Sequence, residues 1–337
     1  MRAYVMESPG RGRLTELADP EIGDYDAMVR TVACGICSST DRMLRRGTFA
    51  NVAYPSILGH EAVGRIVELG PHVRHLRIGD LVTRPSAYQP DRSPINMHWG
   101  GMSELGVVTD HRAWHEDHQD LPQPARSNQV YFDGSIDPEV IALSISLSET
   151  FSVIVRENVL RKNVAVVGTG IAGLSFIRYA KLLGAARVVA IGRRPERLAL
   201  AERLGADAVA SSLDDGPERA ASVTGGLDMV FESSGDATMI GRAHGWLRRG
   251  ARTLVYSAPD TPSSIDLWGG PRDAALIVAS TDETAVLPQV VGLTAAGVID
   301  RELFVSHHYP FADIDRAFAD VDVHRDVVKA MLTFPPS

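Results

Sequence analysis

The sequence is poor in cysteine: Cys34 and Cys37, three positions apart in the segment CGIC, are the only two in 337 residues. A disulfide framework of the secreted type is therefore excluded, and a reducing compartment is expected. Long hydrophobic runs are missing as well. No window of about 18 uninterrupted apolar residues occurs, and the N-terminal MRAYVMESPGRGRL has no long apolar stretch after its early arginine, so a cytoplasmic location and no membrane partner are expected. Positive charge is not in excess, since the net charge is -8 and the pI about 5.8. Such a chain has no general attraction to phosphate backbones or anionic lipid, so nucleic acid is not an expected partner. Lysine is scarce, with 3 lysines against 31 arginines, a bias from which no function follows.

What is present is ordinary globular material, 45% apolar and 23% charged. A chain of 337 residues exceeds the roughly 250 at which single cores stop growing, so two domains are expected. Up to about residue 150, short β-like runs (Ala27–Ala33, Ala62–Leu69, Asp80–Thr83, Ser103–Thr109) are punctuated by Gly, Pro and Asp, which predicts an irregular, mostly antiparallel β domain. The polar stretch Arg84–Met97 reads as one exposed loop. From Arg161 to Ala258 apolar runs (VAVVG, RVVAIG, MVFES, TLVYS) alternate with segments of helical period, the pattern of a parallel βαβ sheet. The last fifty residues return to mixed texture, with helices expected over Glu283–Ala296 and around Ile314–Phe318. The expected fold class is α/β. Residues 1–150 and 285–337 are expected to make one discontinuous domain, and 151–284 a second domain with a doubly wound parallel sheet.

The segment VAVVGTGIAGLSFIRYAKLLGA places Gly168, Gly170 and Gly173, with Ile171 and Ala172 between the last two, directly after a strand-like run and before a helix. Glycines there permit a tight turn, close approach of the backbone to a pyrophosphate and close helix-to-strand packing, while the helix N-terminus offers free N–H groups to the phosphates. A second strand, ARVVAI, follows at the spacing the motif demands. Where an NAD site usually carries an acid for the ribose 2′-hydroxyl, this chain has Gly192, Arg193 and Arg194. Lack of the carboxylate and presence of guanidinium groups favour a 2′-phosphate, hence NADP(H) over NAD(H). The alternative is that both arginines cap a solvated helix start, with mixed specificity.

Cys37 in CGICSSTD, His60 in GHEAVGRIVELG and Glu149 in SLSETFSV supply a thiolate, an imidazole and a carboxylate. That donor set suits tetrahedral Zn2+, and three protein ligands leave a fourth position for substrate, which describes a catalytic site. Each residue alone is weak evidence: an inert thiol, a core histidine and a solvated glutamate are common. Cys34 has no second cysteine pair to join it, and is expected to be a small buried residue on a strand.

The order CGIC, GHEAVGRIVELG, Gly79–Asp80, Gly100–Gly101, the glycine fingerprint and AGVIDRELFVSHHYPFADIDRAF resembles the medium-chain, zinc-containing alcohol dehydrogenase superfamily over essentially the whole chain, including its sorbitol, threonine and glucose dehydrogenase-like branches. The resemblance implies a GroES-like, mostly β catalytic domain plus a Rossmann domain. It implies that Cys37, His60 and Glu149 bind one catalytic zinc, although ETFSV puts Thr150 where the family's EPLSV-like motif has proline. It makes Ser39 a proton relay and Glu61 an acid beside the zinc that can approach it during ligand exchange. Arg42 stands where some relatives place a relay histidine, and Asp41 is either a participant or a surface or capping residue. The family's four-cysteine structural zinc lobe has no cysteines here, so one zinc per subunit is expected. His98 and Trp99 either reach the substrate or cover a surface, and His307 and His308 look structural or exposed. A homodimer or homotetramer built through the nucleotide domain is implied, with strand pairing sought across Ala251–Ile277.

The expected function is a zinc-dependent oxidoreductase that moves a hydride between NADP(H) and a small-molecule alcohol/carbonyl pair, with a sugar, polyol or cyclitol as substrate. The competing expectations are a zinc-free quinone or enone reductase of the same superfamily and a non-catalytic NADP(H)-binding sensor protein.

Overall fold

The computed structural model describes residues 1–49, 52–86, 95–97, 100–119, 129–214, 218, 221, 225–258, 262, 264–266, 268, 270–323 and 326–335. The chain divides into two compact units, Met1–Ile145 with Val291–Ser337, and Ser146–Val290. No helix among the described residues is long and apolar enough to cross a membrane.

The first unit is built around the eleven-residue strand Asp26–Ile36, whose apolar and small residues (DAMVRTVACGI) are buried along nearly its whole length. This strand pairs antiparallel with Glu61–Leu69, Leu105–Thr109 and Lys329–Thr333. The sheet runs Val305–Pro310, Lys329–Thr333, Asp26–Ile36, Glu61–Leu69, Leu81–Thr83 and Tyr131–Phe132, with Leu105–Thr109 as a branch. A smaller sheet orders Arg11–Glu16, Arg2–Ser8, Ser56–Ile57 and Asn96–Met97. The return of the chain's end is a matter of register: Ala330 pairs with Ile36 and Leu332 with Cys34. One core cluster then joins Tyr4, Cys34, Ile36, Leu44, Phe311 and Phe318. Cys34 is fully buried there, a small strand residue as expected.

The helices foreseen near the C-terminus are Glu283–Ala295 and Ile314–Val323. The stretch starting at Arg84 departs from an exposed loop. Arg84 and Ser86 are buried, and Asn96–Met97 pairs in parallel with Ser56–Ile57. The physical reason is a hydrogen bond: the Arg84 guanidinium turns inward to donate to the His60 carbonyl at 2.8 Å. Residues 87–94, and His98 and Trp99, lie outside the described residues.

The second unit is a six-stranded sheet, Ala208–Ser211, Arg187–Gly192, Asn163–Val167, Leu227–Glu232, Leu247–Val255 and Ala275–Val278, parallel throughout. In chain order this is 3-2-1-4-5-6, so the winding reverses between Asn163–Val167 and Leu227–Glu232. Ligands of doubly wound sheets bind beyond the strand ends at such a reversal. The strands read as continuous apolar runs because both faces are covered, and Phe176 of the helix Ile171–Leu182 stacks on Phe231 at 4.6 Å. The helix Pro138–Ile154 contains the boundary between the units and continues unbroken through Thr150. Thr150 Oγ1 is satisfied inside by the Leu147 carbonyl at 2.9 Å and Ser175 Oγ at 2.7 Å.

Candidate active site

Cys37 follows the strand Asp26–Ile36, and His60 immediately precedes the strand Glu61–Leu69, its antiparallel neighbour. The pairing Gly35↔Glu61 brings the two motifs to the same end of that ladder. One donor atom of each of Cys37, His60 and Glu61 lies within 4.8 Å of the others. Thiolate, imidazole and carboxylate are the donor types zinc takes in proteins, so the residues present fit a zinc ion.

The turn that aims His60 depends on glycines for steric reasons. Gly59 has φ +102°, and a Cβ there would lie 2.5 Å from the Met102 amide nitrogen. Gly101 donates to the Gly59 carbonyl at 3.0 Å, and its own Cβ would meet Ala62 Cβ at 2.2 Å. The Gly100–Gly101 pair singled out in the sequence is thus the clamp on the histidine turn.

Asp41 is buried in the first turn of the helix Thr40–Arg46. Its Oδ2 accepts the Cys37 amide at 2.9 Å, and its Oδ1 lies 3.5 Å from His60 Nδ1. The sequence left Asp41 between participant and surface cap, and burial removes the surface reading. Desolvation pulls the His60 imidazole toward the neutral form, but hydrogen bonds to Asp41 and Cys37 outweigh it and hold the pKa well above its ordinary 6.5. Ser39, the expected relay, is exposed at the N-cap of this helix, and its side chain makes no capping bond.

Glu61 is buried and paired with Lys329, whose Nζ donates to Oε2 at 2.6 Å and to Oε1 at 2.9 Å. Sequence reasoning missed Lys329 altogether. Its one signal was rarity, a single lysine in the last strand of an arginine-rich chain.

Glu149 belongs to the second unit, on the helix Pro138–Ile154. There its Oε2 accepts the Tyr256 hydroxyl at 2.7 Å, while the Tyr256 ring meets Phe176 edge-on at 5.5 Å. Tyr256 was another residue without a sequence signal.

The glycine fingerprint forms the turn from the strand Asn163–Val167 into the helix Ile171–Leu182. Gly168 has φ +100°, and a Cβ on Gly173 would lie 1.9 Å from the Gly168 carbonyl oxygen. Those two glycines serve the fold. Gly170 differs: it caps the helix, and a Cβ there would meet nothing within 4 Å. The helix thus begins without a side-chain cap for its free N–H groups, beside Ile171 and Ala172. Gly192 ends the neighbouring strand and pairs with Ser211, and a Cβ there would strike Thr169 Oγ1 at 2.7 Å. Arg193 beyond it is exposed and Arg194 half-buried, and neither is part of the strand. Ser233 and Ser234 cover the glycine turn, and Ser234 is tied down by Glu232 Oε1, which accepts its amide at 2.7 Å. Burial pushes the Glu232 carboxyl above its ordinary value of 4.5 against those bonds.

Comparison with known proteins agrees with this architecture. Residues 23–119 match the family described as the alcohol dehydrogenase GroES-like domain, and residues 172–269 match the zinc-binding dehydrogenase family. The chain is 30% identical to a Mycobacterium tuberculosis protein described as "Probable alcohol dehydrogenase", over 98% of this chain and 94% of that one. It is 25% identical to L-threonine 3-dehydrogenase of Bacillus velezensis, over 94% of each. Among solved structures, the alcohol dehydrogenase of Thermus sp. ATN1 superposes with a TM-score of 0.79 at 26% identity, covering 99% of this chain and 100% of that one. The chain belongs to the zinc-containing medium-chain alcohol dehydrogenase superfamily of oxidoreductases.

Proposed function

We propose that this chain is an NADP(H)-dependent zinc alcohol dehydrogenase or ketone reductase whose substrate is a sugar, polyol or cyclitol. The observation that carries the reading is the convergence of the half-buried Cys37 and the buried His60, with Asp41 aligned behind the imidazole. A zinc-free reductase of double bonds has no use for that donor set. Cys37, His60 and Glu149 would hold the metal, and Tyr256 would orient Glu149 through its hydroxyl. Zinc bound there supplies a Lewis acid that polarises the substrate oxygen.

The chain's own groups do the rest. On oxidation, the Ser39 hydroxyl, unengaged by its helix, passes the substrate's hydroxyl proton toward solvent. A nicotinamide cofactor held at the glycine turn would supply the acceptor for the hydride that turns an alcohol into a carbonyl. Gly168 and Gly173 hold the turn, Gly170 would let a pyrophosphate approach the backbone, and the amides at Ile171 and Ala172 lie at the helix N-terminus that would receive it. Gly192 lets the strand end pack against Thr169, and Arg193 and Arg194 just beyond it would receive the 2′-phosphate. The polyhydroxylated substrate class follows the sorbitol and glucose dehydrogenase resemblance.

Turnover separates this reading from its rivals. NADPH consumption is followed with polyhydroxylated ketones, simple ketones, enones and quinones, before and after treatment with a chelator. Ketone reduction that disappears on chelation and returns with zinc is the expected result. Chelator-insensitive reduction of enones or quinones would overturn it in favour of the zinc-free enzyme, and no turnover with tight NADPH binding would favour the sensor.

A further inference from the structure

Two buried hydroxyls join the helix that carries Glu149 to the helix that opens at the glycine turn. Thr150 is fully buried and Ser175 is 1% exposed. Ser175 Oγ lies 2.7 Å from Thr150 Oγ1 and 2.7 Å from the Ala172 carbonyl, and Thr150 Oγ1 lies 2.9 Å from the Leu147 carbonyl. The seam thus runs from the turn Leu147–Thr150, which holds Glu149, to the first turn of the helix Ile171–Leu182. Thr150 is also the residue at which ETFSV departs from the family's EPLSV-like motif, and a proline there would have no hydroxyl to offer.

The seam has three short contacts and two protons to fill them, because each hydroxyl carries one. If both hydroxyls donated to their carbonyls, lone pairs would face each other across 2.7 Å. Two arrangements remain. In one, Thr150 donates to the Leu147 carbonyl and Ser175 donates to Thr150; in the other, Ser175 donates to the Ala172 carbonyl and Thr150 donates to Ser175. The Leu147 carbonyl can spare Thr150, since the Tyr179 hydroxyl also donates to it at 3.2 Å. Because each hydroxyl's direction fixes the other's, the two protons switch together. An anion at the N-terminus of the helix Ile171–Leu182 draws them toward Ala172, and a cation at Glu149 drives them away from Leu147. Both ligands favour the same arrangement.

We infer that Thr150 and Ser175 are positioning residues that couple the metal and the dinucleotide, so that each ligand tightens the other. The inference rests on the reading of Glu149 as a zinc ligand and of the glycine turn as the phosphate site. Such coupling is reciprocal, so it can be read from either ligand.

The test measures the zinc affinity of the full chain by competition with a chromogenic chelator, without NADPH and at saturating NADPH. The parent is compared with Thr150→Val, Ser175→Ala and Thr150→Ser. NADPH should tighten zinc about 5-fold or more in the parent. Thr150→Val and Ser175→Ala should shrink that ratio to about 2-fold or less, and Thr150→Ser, which keeps the hydroxyl, should retain it. Hydroxyls that only hold the fold would change both zinc affinities alike and leave the ratio at the parent's value in Thr150→Val and Ser175→Ala, which would overturn the inference. So would loss of the ratio in Thr150→Ser, or a zinc-binding parent whose affinity NADPH does not change. If Thr150→Val does not fold, Ser175→Ala decides alone. A parent that takes up no zinc or binds no NADPH would instead defeat the readings beneath, and the inference with them, which keeps the two failures apart.

Discussion

The Asp41 carboxylate lies 3.5 Å from His60 Nδ1, and its other oxygen accepts the Cys37 amide at 2.9 Å, so one buried side chain ties together the two motifs that supply the metal donors. Carboxylates behind ligating histidines fix the ring's orientation and tautomer. Asp41→Ala should weaken zinc retention by roughly 10- to 100-fold, read by competition with a chromogenic chelator on protein of unchanged circular dichroism. Parent-like retention would reduce Asp41 to a helix residue.

The glycines of the two sites should respond in opposite ways. Gly101→Ala drives a methyl into Ala62 and the Gly59 carbonyl, at 2.2 and 2.5 Å, and should cost about 1–3 kcal/mol in denaturant unfolding. Gly170→Ala meets nothing within 4 Å, so stability should change little. The pyrophosphate would meet that methyl, and NADPH affinity should fall at least about 10-fold by titration calorimetry. Stable, tightly binding Gly170→Ala protein would remove the phosphates from that turn.

Cofactor choice rests on Arg193 and Arg194. A hydrogen bond to a charged group contributes about 1.5–3 kcal/mol, so Arg194→Ala, and the double variant with Arg193→Ala more so, should weaken NADPH roughly 10-fold or more while leaving NADH affinity unchanged. Equal losses for both dinucleotides would assign the arginines to the helix start instead.

Glu232 sets a pH dependence. Burial raises its folded pKa above the ordinary 4.5, so the folded chain holds a proton that the unfolded chain gives up. The stability tied to that proton is present below the ordinary value and is lost as pH rises through the raised one. Glu232→Gln cannot lose a proton, and its melting temperature should therefore fall less than the parent's as pH rises over that window. Parallel melting curves against pH would contradict the shift.

What could be read in the sequence was whatever depends on neighbours along the chain. The turn at Gly168–Gly173 and the strand and helix around it follow from local steric demands, and they occur where the spacing put them. So do the short β runs of the first unit, two of them lengthened to Asp26–Ile36 and Glu61–Leu69 and two shortened to Leu81–Thr83 and Leu105–Thr109. The other features depend on sheet register. Lys329 meets Glu61 because Ala330 pairs with Ile36 and Gly35 with Glu61, two ladders that no spacing in the sequence encodes. Arg84 opens a stretch whose composition is that of a surface loop, yet its guanidinium turns inward to a carbonyl. Asp41 looks like any acidic residue in a first helical turn until the histidine behind it is known.

Elemental analysis of the purified full chain, beside Cys37→Ser and Glu149→Gln variants, decides whether this site holds a metal and which residues bind it. The expected result is about one zinc per parent chain, lost in the cysteine variant and weakened in the glutamate variant. A folded, NADPH-binding parent without zinc, and unable to take it up, would contradict the zinc dehydrogenase reading outright.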